Sequence, residues 1–450
     1  MARLVIGTNK TSNVAALVRE AGKYSVQKTV DQNGVLKGTS QVMDFTGVTD
    51  IDDYGFECAY EYNSLVTGHV DMSSLQGITG TAAATQTFHG SGITGIDLSS
   101  VTEIGSESCY QMFCGCENLT SCDISSLVEV GNSGASDMFD GCENLEIDVD
   151  LSSLTTVDRY GCQYMFANSG ITSIDLSGLT SITNSSLNGM VMNCPNLTSV
   201  TFSSNITSLP ERGLCKFVYN CPSLTSLDLS HIVHADGGYG LSELASGDTS
   251  LTTLDLGSLE TATGANSMNG LCTGCTSLTT VDLGSLQSAG TLNAAFKNCT
   301  SLTSLSLPSF ASIQSIRYCL ASLCEGCTSL ATVDLSGLTE ISGSNYALQY
   351  AFRGCSSLTS FTFDALETIS SSTSAFANMF ENCTSLTSLS FPALVTPGAY
   401  NYYTDMLKGV TGCTVHFPSN LESTMGNWTT VKNKFSGTNC EVLFDLPATA

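Results

Sequence analysis

The residues able to do chemistry fall into a few groups: twenty cysteines, a His-x-x-His pair, and a column of aspartates recurring at a regular interval. Zinc needs four converging ligands, and Cys272-x-x-Cys275 and Cys324-x-x-Cys327 each have the local spacing of a half-site. A repeat carrying Cys299 lies between them, so the two pairs are not expected to meet. Ten cysteines (Cys116, Cys142, Cys194, Cys221, Cys275, Cys299, Cys327, Cys355, Cys383 and Cys413) occupy the same position of a recurring segment. Stacking would bring their Cα atoms to about 5 Å, inside disulfide range, but with Cβ vectors running parallel into an interior. A buried thiol ladder is expected, because a free cysteine packs as a small hydrophobe. Abundant free thiols agree with assembly in a reducing compartment.

Histidine is sparse: His69, His89, His231, His234 and His416. The pair His231-x-x-His234, followed by Asp236, has the form of a metal or acid/base pair. It sits just after Leu227-Asp228-Leu229, before a glycine-rich stretch (Gly237, Gly238, Gly240), and is expected to be a solvated loop. The sequence has no glycine-rich phosphate loop, nucleophile elbow or isolated Cys/His dyad. Carboxylates recur by repeat and do not converge on one pocket. No catalytic residue and no metal site is assigned, and an enzyme is not expected.

What must position these residues is a repeat. Residues 298–307 (NCTSLTSLSL) recur as 326–335 and 382–391, with earlier copies at 115–124 and 220–229. The first apolar anchor of each copy is Leu65, Ile93, Leu119, Leu145, Ile171, Leu197, Leu224, Leu251, Leu278, Leu302, Leu330, Leu358 and Leu386. Spacings run from 24 residues (Leu278 to Leu302) to 28 (Leu65 to Ile93). Each copy reads L-x-x-L-x-L-x-x-L, whose alternating middle is a short strand with one buried face. A turn and helical segment is expected next, carrying apolar pairs such as Met112-Phe113, Met138-Phe139, Met165-Phe166, Ala295-Phe296 and Met379-Phe380. One copy cannot bury its own leucines. Stacked at roughly 4.8 Å per rung, the copies share one core. The expected fold is an α/β leucine-rich repeat solenoid of about 13 repeats, with a curved parallel β-sheet on one face and short helices or turns on the other.

The repeat wording, [GN]-C-x-[SN]-L-[TS]-[ST]-[LVI]-D-[LI], resembles the BspA-like bacterial leucine-rich repeats over roughly residues 60 to 415. The resemblance implies a curved solenoid used in surface adhesion and recognition. Members of that family typically carry secretion signals. Here the apolar run at the start, Leu4 to Gly7, is too short for a signal core, which argues against ordinary cell-wall display. No apolar stretch is long enough to span a bilayer.

Three regions are expected: residues 1–57 as an N-terminal cap or attachment module, 58–414 as the solenoid, and 415–450 as a C-terminal cap. The first holds Arg3, Lys10, Arg19, Lys23, Lys28 and Lys37 among the fifteen basic residues, with a strand predicted over 24–30 and a tight turn at Asn33-Gly34. In the last, a strand is predicted over 415–418, a short helix from Ser419 or Asn420 through Trp428, and a closing strand over 441–445. The tail segments HFPSNLESTMGNW and LFDLPAT are similar to C-terminal caps on repeat proteins of gut bacteria and their phages.

The column between the strand leucines reads Asp97, Asp123, Asp150, Asp175, Thr201, Asp228, Asp255, Asp282, Ser306, Asp334, Thr362 and Ser390. Its apolar neighbours point inward, so it is expected to face outward from the sheet. Neighbouring carboxylates would repel by about 1 kcal/mol in water and nearer 3 at an effective dielectric of 20. Relief is expected from raised pKa values, from hydroxyl neighbours such as Thr225 and Ser226 beside Asp228, or from bound cations. Two readings stay open: a ladder that solubilises the sheet, and a polar groove for a glycan or basic partner, with Ca²⁺ as the one cofactor left in view.

The formal charge of −26 argues against nucleic acid and anionic membrane as partners. The function expected is non-catalytic recognition of a host-surface glycan or protein, by a phage virion or tail-associated attachment protein located at the virion surface. The N-terminal region would then contact other virion proteins or form a homo-oligomer. A bacterial surface adhesin at the cell surface, or an intracellular scaffold in the cytoplasm, is the alternative.

Overall fold

The computed structural model describes residues 2–5, 16–20, 23–27 and 48–449, less 52, 65, 315–317, 343–344, 371–372, 424 and 426–432. The anchor Leu65, the Asn33-Gly34 turn and Trp428 lie outside the described residues. The chain is a parallel-strand β-solenoid of about 13 turns with almost no helix. It divides into two compact units: residues 1–206 with 212–224, and residues 207–211 with 225–450.

In the first unit the coils up to Ser181–Ile182 each contribute two short strands. The first strands include Gly92–Asp97, Ser121–Asp123, Asp148–Asp150 and Ser173–Leu176, paired in parallel with their neighbours except between the second and third of these. The second strands, Gly77–Ile78, Glu103–Ile104, Glu129–Val130, Thr156–Val157 and Ser181–Ile182, form a five-stranded parallel sheet of their own. They place Ile78, Ile104, Val130 and Val157 in the core. At the N-terminal end, Ala2–Val5, Ala16–Glu20 and Lys23–Gln27 pair as an antiparallel sheet, the last of them overlapping the predicted 24–30 strand over residues 24–27. Inter-coil pairing reaches back to Thr49 and Tyr54.

The second unit repeats the design. Ser226–Asp228, Thr253–Asp255 and Thr280–Asp282 are in parallel register. The predicted C-terminal strands form as Thr414–Pro418 and Glu441–Leu446, which pair with one another in parallel. Ser419–Glu422 is a single 3₁₀ turn where a longer helix was expected.

Of the short helices or turns expected opposite the sheet, the structure forms turns, and the backbone says why. Residues 107, 111 and 115 all take left-handed φ, and the same four-residue beat recurs at 133, 137 and 141 and at 160, 164 and 168. Alternate N–H groups leave the coil: Gln111 donates to the carbonyl of Ser136 (3.0 Å), Phe113 to Met138 (2.9 Å) and Gly115 to Asp140 (2.7 Å). Those between close turns, as Met112 to Cys109 (3.1 Å) and Cys114 to Gln111 (3.2 Å). A helix needs every one of these donors for its own i−4 carbonyl. A left-handed non-glycine residue costs about 1–2 kcal/mol and a net hydrogen bond returns about 0.5–1.5, so the backbone terms nearly cancel. Burial decides the balance. Met112, Phe113, Met138, Phe139, Met165 and Phe166 are all fully buried, each such side chain being worth about 1.5–3 kcal/mol.

The rings stack coil on coil. Phe88, Phe113, Phe139 and Phe166 follow one another at centroid distances of 5.6, 5.2 and 5.1 Å. In the second unit Phe363, Phe391 and Phe417 repeat the motif at 5.0 Å per step.

All twenty cysteines are free thiols, and the ten of the ladder are buried. Their sulfurs do more than fill space. Cys116 donates to the carbonyl of Phe88 (3.0 Å), Cys142 to Phe113 (3.2 Å), Cys275 to Ala245 (3.0 Å), Cys327 to Phe296 (3.0 Å) and Cys383 to Phe352 (3.0 Å). Nine of the ten thiols thus satisfy a carbonyl of the preceding coil, and Cys413 turns to that of Thr414 (3.7 Å). Burial pushes Cys116 up to about 11, which keeps it protonated and able to donate. Ser91 and Ser169 fill the column where the segment before the next anchor is one residue shorter, and buried Asp248 takes the cysteine position at 248.

Candidate binding surface

The strand positions the aspartates, and the turn after it orients them. None of the twelve column residues is buried. In the first unit Asp71, Asp97 and Asp123 are in register, as are Asp150, Asp175 and Thr201. In the second, Asp228, Asp255 and Asp282 align, as do Ser306 with Asp334 and Thr362 with Ser390. Asp71 and His416 also belong to the column and were missed. A bulge between Gly68 and His69 shifts the phase at Asp71, and His416 replaces the acidic residue, making 3.0 Å contacts with both carboxylate oxygens of Asp445.

Every aspartate of the column does the same local job. Its Oδ1 accepts the backbone N–H two residues on: Ser99 to Asp97 (2.9 Å), Ser125 to Asp123 (3.1 Å), Ser152 to Asp150 (2.9 Å), Ser177 to Asp175 (2.8 Å), Ser230 to Asp228 (2.9 Å), Gly257 to Asp255 (2.9 Å), Gly284 to Asp282 (3.0 Å) and Ser336 to Asp334 (2.9 Å). This Asx turn ends each strand and fixes the carboxylate's direction. The expected relief of repulsion is therefore corrected. Thr225 and Ser226 do not serve Asp228; the N–H of Ser230 does. At three of these aspartates the pKa moves down, not up: the Ser152 hydroxyl and N–H lower Asp150, the Ser230 N–H and hydroxyl lower Asp228, and the Ser336 groups lower Asp334. Hydrogen bonds to the charged form outweigh neighbour repulsion on an open, solvated face.

The first unit interrupts the ladder once. Ser121–Asp123 and Asp148–Asp150 do not pair, although the second strands of the same coils do. From Leu145 to the inward-facing Val149 is four residues, where other coils use three, as Leu224 to Leu227. The extra residue bulges the chain, with the Ile147 N–H turned back to Leu145 (3.1 Å). A crevice of about 290 Å³ opens there, with Asp123, Asp148 and Asp150 at its walls and Ile147, Val149 and Phe166 deeper. Asp148, also missed, accepts from the hydroxyls of Thr172 (2.8 Å) and Ser173 (2.5 Å), which lower its pKa.

Of the His231/His234 pair, expected in a solvated loop, His234 stands in the second-strand ladder with an exposed side chain, and His231 lies in the turn before it. His234 bridges in parallel to Ser208 and Thr261. Its Nδ1 lies 2.9 Å from the Thr261 hydroxyl, which also donates to Asp236 (2.8 Å). Burial lowers the pKa of His231. Among the described residues no group of three or more His, Cys, Asp and Glu is placed to hold a metal ion. Likewise, no helix there is long and apolar enough to cross a membrane.

One carboxylate behaves oppositely to the column. Burial pushes Asp137, in a turn run, up to about 6, while the Ser136 hydroxyl at 2.9 Å opposes and Asp140 adds to the rise. Its folded pKa is raised above the ordinary 3.8. Below pH 4 the group is neutral in both states and costs nothing, and as pH rises through about 6 the fold must carry a half-buried charge. Asp137→Asn is expected to raise the thermal midpoint at pH 7.5 relative to the parent more than it does at pH 4. A pH-independent difference between the two chains would contradict this.

The family model for BspA type leucine-rich repeat regions matches in six copies over residues 47–160, 111–235 and 268–408, well over half of the chain. No curated protein matches. Solved structures that resemble it include a leucine-rich repeat protein from Bacteroides ovatus (18% identity, covering 98% of this chain and 98% of that one, TM-score 0.47). Another is a leucine-rich repeat protein from Eubacterium ventriosum (16%, 91% and 95%, TM-score 0.39). A third is a leucine rich cell surface protein from Faecalibacterium prausnitzii (15%, 98% and 94%, TM-score 0.32). At these scores the likeness establishes no residue equivalence.

Proposed function

Because the chain belongs to the BspA type leucine-rich repeat family, we propose that it is a non-catalytic recognition protein binding along its exposed first-strand columns, as a host-attachment protein on the surface of a bacteriophage particle. The observation that carries the binding role is the outward column of carboxylates, held at rung spacing by backbone N–H groups. Asp255 and Asp282 each use one oxygen for the following glycine N–H, which leaves the other to a partner. Such a surface suits a basic protein segment or a polyhydroxylated glycan. The virion role is supported by a buried ladder of free thiols without disulfides, as suits assembly in a reducing cytoplasm. The N-terminal region, whose first 37 residues carry six basic side chains, would join the protein to other virion proteins or to further copies of itself.

The test has two arms. Asp228→Asn, Asp255→Asn and Asp282→Asn together keep the Oδ1 acceptor of each turn and remove only charge, so the fold should hold. The triple variant is expected to bind host cells or an immobilised basic partner roughly tenfold more weakly at low salt. Unchanged binding would remove the strand face from the account. Separately, antibody raised against the chain should label purified phage particles; labelling of the bacterial envelope instead would make it an adhesin.

A further inference from the structure

The coil that begins the first unit's ladder carries an exposed tyrosine where neighbouring coils carry small residues. Tyr62 is 69% exposed, the most exposed large apolar side chain among the described residues. It occupies the left-handed position filled by Gly115 and Gly141 two and three coils on, at φ 52. Its backbone N–H is tied to the carbonyl of His89 (2.6 Å). Its ring lies over the His89 imidazole, with centroids 4.7 Å apart and planes tilted by 44°. Gly90 provides the seat, since a Cβ there would meet the tyrosine ring at 2.8 Å.

An open groove of about 440 Å³ runs beside the ring. Glu117 and Asn118 line it from the next coils, both exposed, and Gly115 leaves the wall between them low. Asn118 differs from its counterparts. Asn144 and Asn196 hold a carbonyl of the preceding coil (2.6 and 3.4 Å), whereas Asn118 makes no such bond. The segment leading into the anchor of the preceding coil is one residue shorter, with Gly90-Ser91-Gly92-Ile93 set against Gly115-Cys116-Glu117-Asn118-Leu119. The missing residue makes the notch and frees the amide. The Nδ1 of His89 is buried without a hydrogen-bond partner. The imidazole is therefore held by the ring above it, not by a bond at that atom.

We infer that this groove is a carbohydrate subsite that seats one neutral pyranose of a glycan against Tyr62. A pyranose has one face rich in C–H groups and an equator of hydroxyls. The tyrosine ring offers an apolar platform at low entropic cost, the Glu117 carboxylate accepts from hydroxyls, and the Asn118 amide both donates and accepts. A purely apolar ligand would leave these polar groups unpaired, and an anionic one would meet Glu117 in a chain of charge −26. The inference rests on the recognition role but not on the strand face, because the groove lies where the turn run enters the strand.

The test is saturation-transfer NMR on the full chain with the methyl glycosides of glucose, galactose, mannose and N-acetylglucosamine, and with the peptide Gly-Pro-Gly as the competing class. At least one glycoside is expected to show saturation concentrated on one ring face. Tyr62→Ala should weaken that binding roughly tenfold and Tyr62→Trp should retain it. Tyr62→Ala should not move the unfolding midpoint, which separates lost binding from lost fold. Saturation of the peptide alone, of no probe, or undiminished in Tyr62→Ala would overturn the subsite. Failure here, with the triple aspartate variant still impaired, would leave the strand-face reading standing; the reverse pattern would remove that reading and keep this one.

Discussion

Phe139→Ala is expected to destabilise the chain by about 3–5 kcal/mol, the largest effect of any single side-chain truncation considered. Phe139 is fully buried and lies between the rings of Phe113 (5.2 Å) and Phe166 (5.1 Å). Truncation therefore opens a cavity in the middle of a stack, and two coils lose a neighbour at once. In a solenoid stability is close to a sum of coil and interface terms, so damage to two interfaces is not diluted by the length of the array. Urea unfolding of the full chain followed by far-UV circular dichroism would measure it. The main loss should fall on the first unit, visible as an earlier or separate transition. A shift below about 1 kcal/mol would mean that the rings are not packed as described.

Gly290→Ala is expected to cost roughly 2–3 kcal/mol, for a different reason. A Cβ on Gly290 would collide with the carbonyl oxygen of Gly264 and come within 2.9 Å of that of Thr263. Gly264 in turn lies against Gly237, so the column brings backbone onto backbone with no side chain able to move aside. The whole coil must shift or tilt, which strains the pairing of Thr261–Ala262 with Ser288–Ala289. Gly274→Ala is the matched control. It has left-handed φ (+79) but open space around the added atom, so only a conformational cost of about 1 kcal/mol is due. If the two variants unfold at the same urea concentration, close backbone approach is not what selects glycine at 290.

The candidate surface was partly legible for a definite reason. An alternating strand with apolar residues on one side must present the residue between them to solvent, so the positions of Asp97 through Ser390 followed from periodicity alone. What those aspartates do was not legible in that way. A carboxylate two residues before a Ser or Gly reads equally as a ligand-binding charge or as a turn former. Only the 2.8–3.1 Å bonds to the following N–H groups make it an Asx turn. The crevice at Asp148 was written in the spacing, as four residues in place of three after Leu145. The pattern L-x-x-L-x-L tolerates such a slip by eye, and Asp148 was passed over. The expected helical segment fails at a column that the repeat wording itself carries. The [GN] of [GN]-C is the left-handed position of the turn run, where Gly115, Gly141, Asn168 and Asn193 stand. These are the residues that tolerate that conformation, and a helix would have had no use for them at that beat.

By itself the sequence determined that the chain repeats, which residues turn inward, and that the cysteines would form a buried column free of disulfides. These follow from periodicity and from the burial of apolar groups, which need no knowledge of neighbours beyond the next copy. The tertiary structure alone decided the path of the back of each coil, the second strand ladder, the thiol-to-carbonyl bonds and the groove beside Tyr62. All of those depend on where the N–H and C=O groups of one coil meet those of the next. That pairing costs little and returns little per bond, so local residue preferences cannot settle it until the coils are stacked.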